Sequence, residues 1–209
     1  FNRCISEGIF PEVWKSGKIV PVHKSGARNH IENYRPICQF STLGKLLECV
    51  IRQQFVVHLE RIFPDNIFGF RSGRGTQDAV GCVLDAVHRH RANEKFVCLL
   101  ALDASCAFDL LNHDVVIRSL EVIGAGPLMR KWSENFLKDC KNFVQIGDSQ
   151  SEPWTVDTGA GQGRRTSPDF YNLATMSLAI FAFSRSALVV AFLIMLLVLS
   201  TNSFNLETV

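Results

Sequence analysis

None of the seven cysteines (Cys4, Cys38, Cys49, Cys82, Cys98, Cys106, Cys140) belongs to a C-x-x-C pair, and their number is odd. That spacing supplies neither a zinc site nor a disulfide framework, so free thiols in a reducing compartment are expected. The first residues, FNRCISEGIFPEVWKSGK, have no basic head, apolar core or small-residue cleavage site of a secretory signal, which directs the expectation to the cytoplasm and nucleus. An initiator Met is missing too, as in a piece of something longer. Charge is scarce at one end: from Phe170 to Val209 only Arg185 and Glu207 are charged, and no Asp follows Asp169. The densest apolar run, Ala187 to Leu199, stops short of the ~18 to 20 residues of a membrane-spanning helix. A buried strand or core helix is the first expectation for it; with its uncharged flanks, Ser186 to Leu206, a membrane anchor is the alternative. There is no internal repeat and no low-complexity tract.

What is present can build a core. Of 209 residues 47% are hydrophobic, and 22 Lys and Arg against 20 Asp and Glu give a net charge of +2. Those proportions exclude disorder and collagen-like sequence, and they argue against a uniformly basic coat for nucleic acid. Lys18 to Val22 reads as a strand that Pro21 confines to a sheet edge. Ser41 to Leu59, with Leu43, Leu46, Leu47, Val50, Ile51 and Phe55, has a helical period, as does Thr76 to His90. Phe96 to Leu102 is a continuous apolar run ended by Asp103, the pattern of a strand buried on both faces. His113 to Ile123 and Leu128 to Leu137 read as helices parted by Gly124-Ala125-Gly126-Pro127, and Phe143 to Ile146 with Trp154 to Val156 as a hairpin around Gly147-Asp148. Mixed helices and strands imply an α+β or α/β domain.

A strand that ends in a carboxylate delivers that charge to the sheet edge, where open sheets bind ligands and metals. Asp103 and the nearby Asp109 are hard oxygen donors of the kind Mg²⁺ takes; the bland alternative is that Asp103 caps the following turn. His88, Arg89, His90 and Arg91 form a basic cluster that reads as a solvated helix face.

Five segments then stand in order: FPEVWKSGKIVPVHKSG, NYRPI with STLGKLLECVI, FGFRSGRGTQDAV, LDASCAFDLLNH and GAGQGRRTSPDFYN. Together they resemble the reverse transcriptase domain of non-LTR, LINE-like retrotransposons over residues 1 to about 172. The resemblance implies a right-hand polymerase fold of α+β class, with fingers and a partial palm whose small antiparallel sheet packs on helices. Residues 1–92 would be the fingers-like region, 93–185 the palm-like region, and 186–209 an apolar tail in place of the second catalytic hairpin. It implies RNA-directed DNA polymerisation by two-metal nucleotidyl transfer with Mg²⁺ or Mn²⁺, an RNA template, a DNA primer and deoxynucleoside triphosphates. Asp103 would be the first catalytic carboxylate and, with Asp109, a metal ligand. Phe108 would lie under the nucleotide sugar and disfavour a 2′-OH. Lys24, Arg35 and Arg71 would clamp phosphates, and Gln162 with Gly163 would form the turn against template and nucleotide, Gly163 letting backbone approach the bases. Ser167-Pro168 would start the next helix.

The pattern departs from that family in two places. Gly161 and Arg164-Arg165-Thr166 replace a Pro and an apolar trio around the Gln-Gly pair. The Tyr/Phe-Ala-Asp-Asp core of the second catalytic hairpin is absent, and its window falls on Phe192-Leu193-Ile194-Met195. Without that pair the metal pair should not assemble, so activity is expected to be nil or residual. A single-base deletion accounts for the window: TTT GCT GAT (T/C/A)AT G encodes Phe-Ala-Asp and then Tyr, His or Asn, and losing its first G leaves Phe-Leu-Ile-Met. The rival readings are a catalytically silent nucleic-acid-binding polymerase-like fold and a membrane-associated protein anchored by the tail. A tail strand unable to pair would also make the full chain less soluble than one cut at Asn172.

Overall fold

A computed structural model describes residues 1–93, 96–103, 106–184, 188–191 and 194–201, with side chains described up to residue 176 except those of residues 96, 100, 102 and 103. In chain order come α1 (Asn2–Glu7), β1 (Ser16–His23), β2 (Tyr34–Gln39), α2 (Thr42–Glu60), α3 (Thr76–Ala92), β3 (Phe96–Asp103), α4 (His113–Val122) and α5 (Pro127–Leu137). They are followed by β4 (Cys140–Ile146), β5 (Ser149–Gln150), β6 (Trp154–Val156), α6 (Ser167–Ser184), β7 (Leu188–Ala191) and β8 (Ile194–Thr201). Two compact units result, Phe1–Leu59 with Cys106–Ala174, and Glu60–Ser105 with Thr175–Val209. Each is assembled from separated stretches of chain, so boundaries at 92/93 and 185/186 coincide with neither.

In the first unit the sheet order is β2-β1-β4-β5, with β6 on β4 as well. β1 runs antiparallel to β2 and parallel to β4, so this sheet is mixed. Its pairing with β4 ends at Ile19–Val144, and Pro21 lies beyond, opposite Pro36. β1 is therefore an inner strand whose second half alone is an edge, and proline occupies the half that needs no second ladder. The hairpin turns at Gly147-Asp148 into β5, while Trp154 to Val156 pair farther back, with Cys140 to Asn142. Beneath lies an aromatic core. Trp132 and Phe136 stack with ring centroids 4.7 Å apart, Phe10 meets Phe136 edge-on at 4.9 Å, and Phe55 meets Phe170 at 5.7 Å. These offset and edge-on geometries suit the aromatic quadrupole.

Helix α2 forms where its period predicts, but with another face inward. Gly44, Leu47, Glu48, Phe55 and Leu59 are buried, whereas Leu43, Leu46 and Val50 are exposed. α4 starts because the Asn112 side chain accepts from the Asp114 and Val115 amides at 2.8 and 3.3 Å, and α5 because Pro127 opens its first turn.

In the second unit, α3 begins with a one-way cap in which the Gly75 amide donates to Asp78 Oδ2 at 2.7 Å. Its Ala79 and Val83 bury against Phe68, with Val97 of β3 at the margin. The sheet order is β3-β8-β7, all antiparallel. β3 is thus an edge strand, and Cys98, Leu99 and Ala101 are exposed, which corrects the expectation of burial on both faces. β8 pairs with β3 over eight positions, from Phe96–Thr201 to Asp103–Ile194. The described residues of the apolar tail, 188–191 and 194–201, are therefore two strands; Phe192 and Leu193, between them, lie outside the described residues. Among the described residues no helix is long and apolar enough to cross a membrane.

Candidate functional site

Two segments of the first unit, Cys106 to His113 and Thr158 to Gly163, are laced together by main-chain bonds. The Gly159 amide donates to the Leu111 carbonyl at 2.7 Å and the Ala160 amide to the Phe108 carbonyl at 2.9 Å. His113 Nε2 lies 2.7 Å from the Gly159 carbonyl, which can only accept, so that ring nitrogen carries the proton. Gly159, at φ +90°, would push a β-carbon to 2.7 Å from the Asp109 carbonyl oxygen. Glycine is required there by both conformation and space. Across the two segments Gln162 Nε2 donates to Asp109 Oδ2 at 2.9 Å. Burial raises the Asp109 carboxyl above its ordinary range and this hydrogen bond opposes the rise.

The turn Gly161 to Gly163 is fixed to β2. The Cys38 amide donates to the Gln162 carbonyl at 2.8 Å. A β-carbon on Gly163, at φ +123°, would fall 2.4 Å from the Cys38 carbonyl oxygen. The close backbone approach that glycine permits is thus to the protein's own strand. Past the turn, Arg164 is buried with its guanidinium 4.1 Å from the Phe40 ring centroid and 4.2 Å from that of Phe136, and Nη2 3.2 Å from Cys140 Sγ. Glu48, fully buried, accepts the Arg165 amide at 2.8 Å through Oε2. Desolvation raises its carboxyl, against the pull of the Arg164 cation. Desolvation likewise raises the Cys38 thiol to about 11, which keeps it protonated and unreactive. Asp169, in the first turn of α6, takes a two-pronged contact from Arg52 at 2.6 and 3.0 Å. A carboxylate at that end of a helix also meets the dipole favourably.

Among the residues singled out in the sequence, Phe108, Asp109, Gln162 and Gly163 share these laced segments, with the Phe108 ring 5.5 Å from that of Tyr171. Ser167 does start a helix, with Pro168 in its first turn. Arg35 and Lys24 are exposed on the β1–β2 hairpin, where the Lys24 amide donates to the Asn33 carbonyl at 2.7 Å. Arg71 departs from the phosphate role expected of it. It is buried and donates to both Glu60 carboxylate oxygens and to the Pro64 and Ile67 carbonyls, so its fork is engaged inside the second unit. Asp103 ends β3, and its register partner is Ile194, with Met195 opposite Leu102. Its side chain lies outside the described residues.

Among the described residues of either unit, none assembles a donor set for a pair of divalent ions. The residue facing Asp103 across the ladder is a hydrocarbon, and the Asp109 carboxylate is already engaged by Gln162. Among the described residues no group of three or more His, Cys, Asp or Glu could hold a metal ion. Oxygen-rich donor sets are what Mg²⁺ and Mn²⁺ require. His113, Arg164 and Glu48 were not singled out from sequence for these roles. A basic residue in a Gly-rich turn flanked by aromatic segments hints at Arg164; nothing local marks Glu48.

A family model described as "Reverse transcriptase (RNA-dependent DNA polymerase)" matches residues 22–190. The chain is 29% identical over 181 residues to the probable RNA-directed DNA polymerase from transposon BS of Drosophila melanogaster, covering 85% of this chain and 20% of that protein. It is 26% identical over 195 residues to the Pol polyprotein of the R1 retrotransposable element of Bradysia coprophila, covering 92% and 19%. The chain therefore spans about a fifth of the length of the curated relatives it matches. In structure it resembles apo telomerase from Candida tropicalis truncated from its C-terminal domain, with a TM-score of 0.68 at 15% identity, over 93% of this chain and 45% of that one. Telomerase of the same organism in complex with a telomeric RNA fragment gives a TM-score of 0.65 at 14% identity, over 93% and 37%. That likeness gives the fold, a right-hand polymerase fold of mixed α and β structure.

Proposed function

The chain belongs to the reverse transcriptase (RNA-dependent DNA polymerase) family, and from that premise we propose that it grips template, primer and nucleotide but lacks the carboxylates for nucleotidyl transfer. It is a reverse transcriptase domain of the retrotransposon kind, and its relatives are RNA-directed DNA polymerases of mobile elements. The observation that carries the proposal is the β3–β8 register. The backbone of an antiparallel hairpin is laid against the strand that ends in Asp103, yet the position facing that aspartate is Ile194. Reverse transcriptases generally use divalent metal ions, and isoleucine and methionine bring none of the negative charge needed to hold them.

The remaining machinery supports binding. Arg35 and Lys24, exposed and basic, are placed to meet phosphates. Phe108, on the laced segments, offers a ring beside a nucleotide sugar, and the Gln162 turn is held rigid by Cys38 and Asp109. The register also gives the one-base deletion a physical meaning. In the restored frame position 194 is aspartate, directly across the ladder from Asp103. Sequencing independent genomic copies checks this: an Asp codon in the neighbouring frame is expected, and intact frames with Leu-Ile-Met in several copies would remove the idea.

The enzymatic test is primer extension by the full chain on an RNA template with all four deoxynucleotides and Mg²⁺ or Mn²⁺. No extension above background is expected while the primer–template is still bound. Sustained extension would overturn the proposal, since it would require a metal site that these residues do not provide.

A further inference from the structure

Helix α2 of the first unit carries an apolar stripe on its open side. Leu43, Leu46, Val50 and Val57 are 52, 50, 41 and 56% exposed, and with the exposed Gln53 they recur at alternating steps of three and four residues. That is the spacing of a coiled-coil seam, which keeps one narrow line of side chains facing a second helix. From Leu43 to Val57 the line runs about 21 Å, or two heptads. The positions beside it, Cys49, Gln54 and Val56, are uncharged. Of the charges in the same stretch, Lys45 is half-buried, Glu48 is buried on the Arg165 amide and Arg52 is held by Asp169. Next to the stripe, α1, α2 and α5 form a groove of about 260 Å³ whose apolar walls are Ile5, Val50, Ile51, Leu128, Met129 and Trp132.

We infer that this stripe is a dimer seam, in which α2 packs antiparallel against α2 of a second copy of the chain. A line of side chains without charge offers nothing to a polyanion or to a strongly acidic or basic partner, and it lacks the flanking Lys and Arg with which a surface helix meets lipid headgroups. What it complements is another uncharged seam of the same spacing, and a second copy brings one at equal concentration. The register follows from the spacing. A two-fold axis level with the Ile51–Arg52 peptide sets Leu46 against Val57 of the other copy and Val50 against its Gln53. The two Gln53 amides then lie in neighbouring layers, where they can bond to one another, and a polar residue in an apolar seam fixes register. The same axis keeps both grooves on one side of the seam, where Leu128 and Met129 of each copy add apolar surface. Two heptads are too few to hold isolated helices together, but α2 is already fixed by its buried face, so association bears no nucleation cost. The dimer stands whether or not the chain grips nucleic acid.

The test is sedimentation velocity of the full chain at loading concentrations of about 1 to 100 µM, where a reversible dimer with a dissociation constant on the order of 10 µM is expected for so small an interface. Val50→Glu, in the middle of the seam, should raise that constant about thirtyfold or more, while Val122→Glu, at an exposed apolar position of α4, should leave it unchanged. Charge exchange reads the register. A chain with Leu46→Glu and Val57→Glu and one with Leu46→Lys and Val57→Lys should each be monomeric alone and should form a mixed dimer when combined. Far-UV circular dichroism should report the parent fold in every variant, because all these positions are exposed. A parent chain that stays monomeric throughout the range would overturn the inference. So would association that Val50→Glu does not weaken, which would put the contact elsewhere, or failure of the two charge variants to pair. A monomeric parent whose binding to phosphatidylcholine vesicles is lost in Val50→Glu would also overturn it, and would mark the stripe as a lipid contact.

Discussion

Gly163 has no room for a β-carbon, because the Cys38 carbonyl oxygen would lie 2.4 Å away and its φ of +123° disfavours any L side chain. Gly163→Ala should therefore cost about 2 to 4 kcal/mol in urea unfolding. A variant within about 0.5 kcal/mol of the parent would show that the turn does not press on β2 as described. Glu48 gives a pH signature. Burial holds its carboxyl above the ordinary range, so the folded chain binds that proton more readily than the unfolded one. Its contribution to stability is thus most favourable below the unfolded value of about 4.3 and declines as pH rises through the folded value. Glu48→Gln abolishes that decline, so the stability of the variant relative to the parent should rise between about pH 4 and pH 7. A difference that stays flat over that interval would contradict the assignment.

At the scale of elements, the tail strands reverse an expectation drawn from composition. The expected loss of solubility supposed a tail strand unable to pair, but β8 pairs with β3 along its whole length, and β7 pairs with β8. Cutting the chain at Asn172 removes both strands and also Leu173 and Met176, which are buried on α6. β3 is then left without a partner, and an apolar edge strand is a template for aggregation. The shortened chain should be the less soluble one, with a lower melting temperature; higher yield of soluble monomer than the full chain would refute the pairing. Helix α2 makes the converse point. Its apolar period announces a helix without telling which side is covered, and the covered side includes a glutamate because Arg164 and the Arg165 amide await it.

For the whole molecule, two compact units with separate cores imply more than one unfolding step. In the first, the packing of Phe10, Phe136 and Phe170 dominates; in the second, the described core is the smaller set of Phe68, Ala79 and Val83, braced by the buried Arg71. Arg71→Ala leaves Glu60 and two carbonyls without their donor, at a cost of about 3 kcal/mol or more. Calorimetry should show Arg71→Ala lowering one transition and Gly163→Ala the other. A single transition lowered equally by both would show that the units unfold as one.

The sequence alone determined helices α2 to α5, the strand that ends in Asp103, the five ordered segments that mark the family, and the missing acidic pair. All of these are written in local order: a period, a capping residue, a motif, or a residue that is absent. Tertiary structure decided that Arg71 is held inside, that Gly163 lies against a strand of its own protein, that Glu48 is buried, and that Ile194 faces Asp103. Each depends on which distant segment covers a given face, and burial, hydrogen-bond partnership and strand register are properties of that pairing, which no single stretch of chain carries.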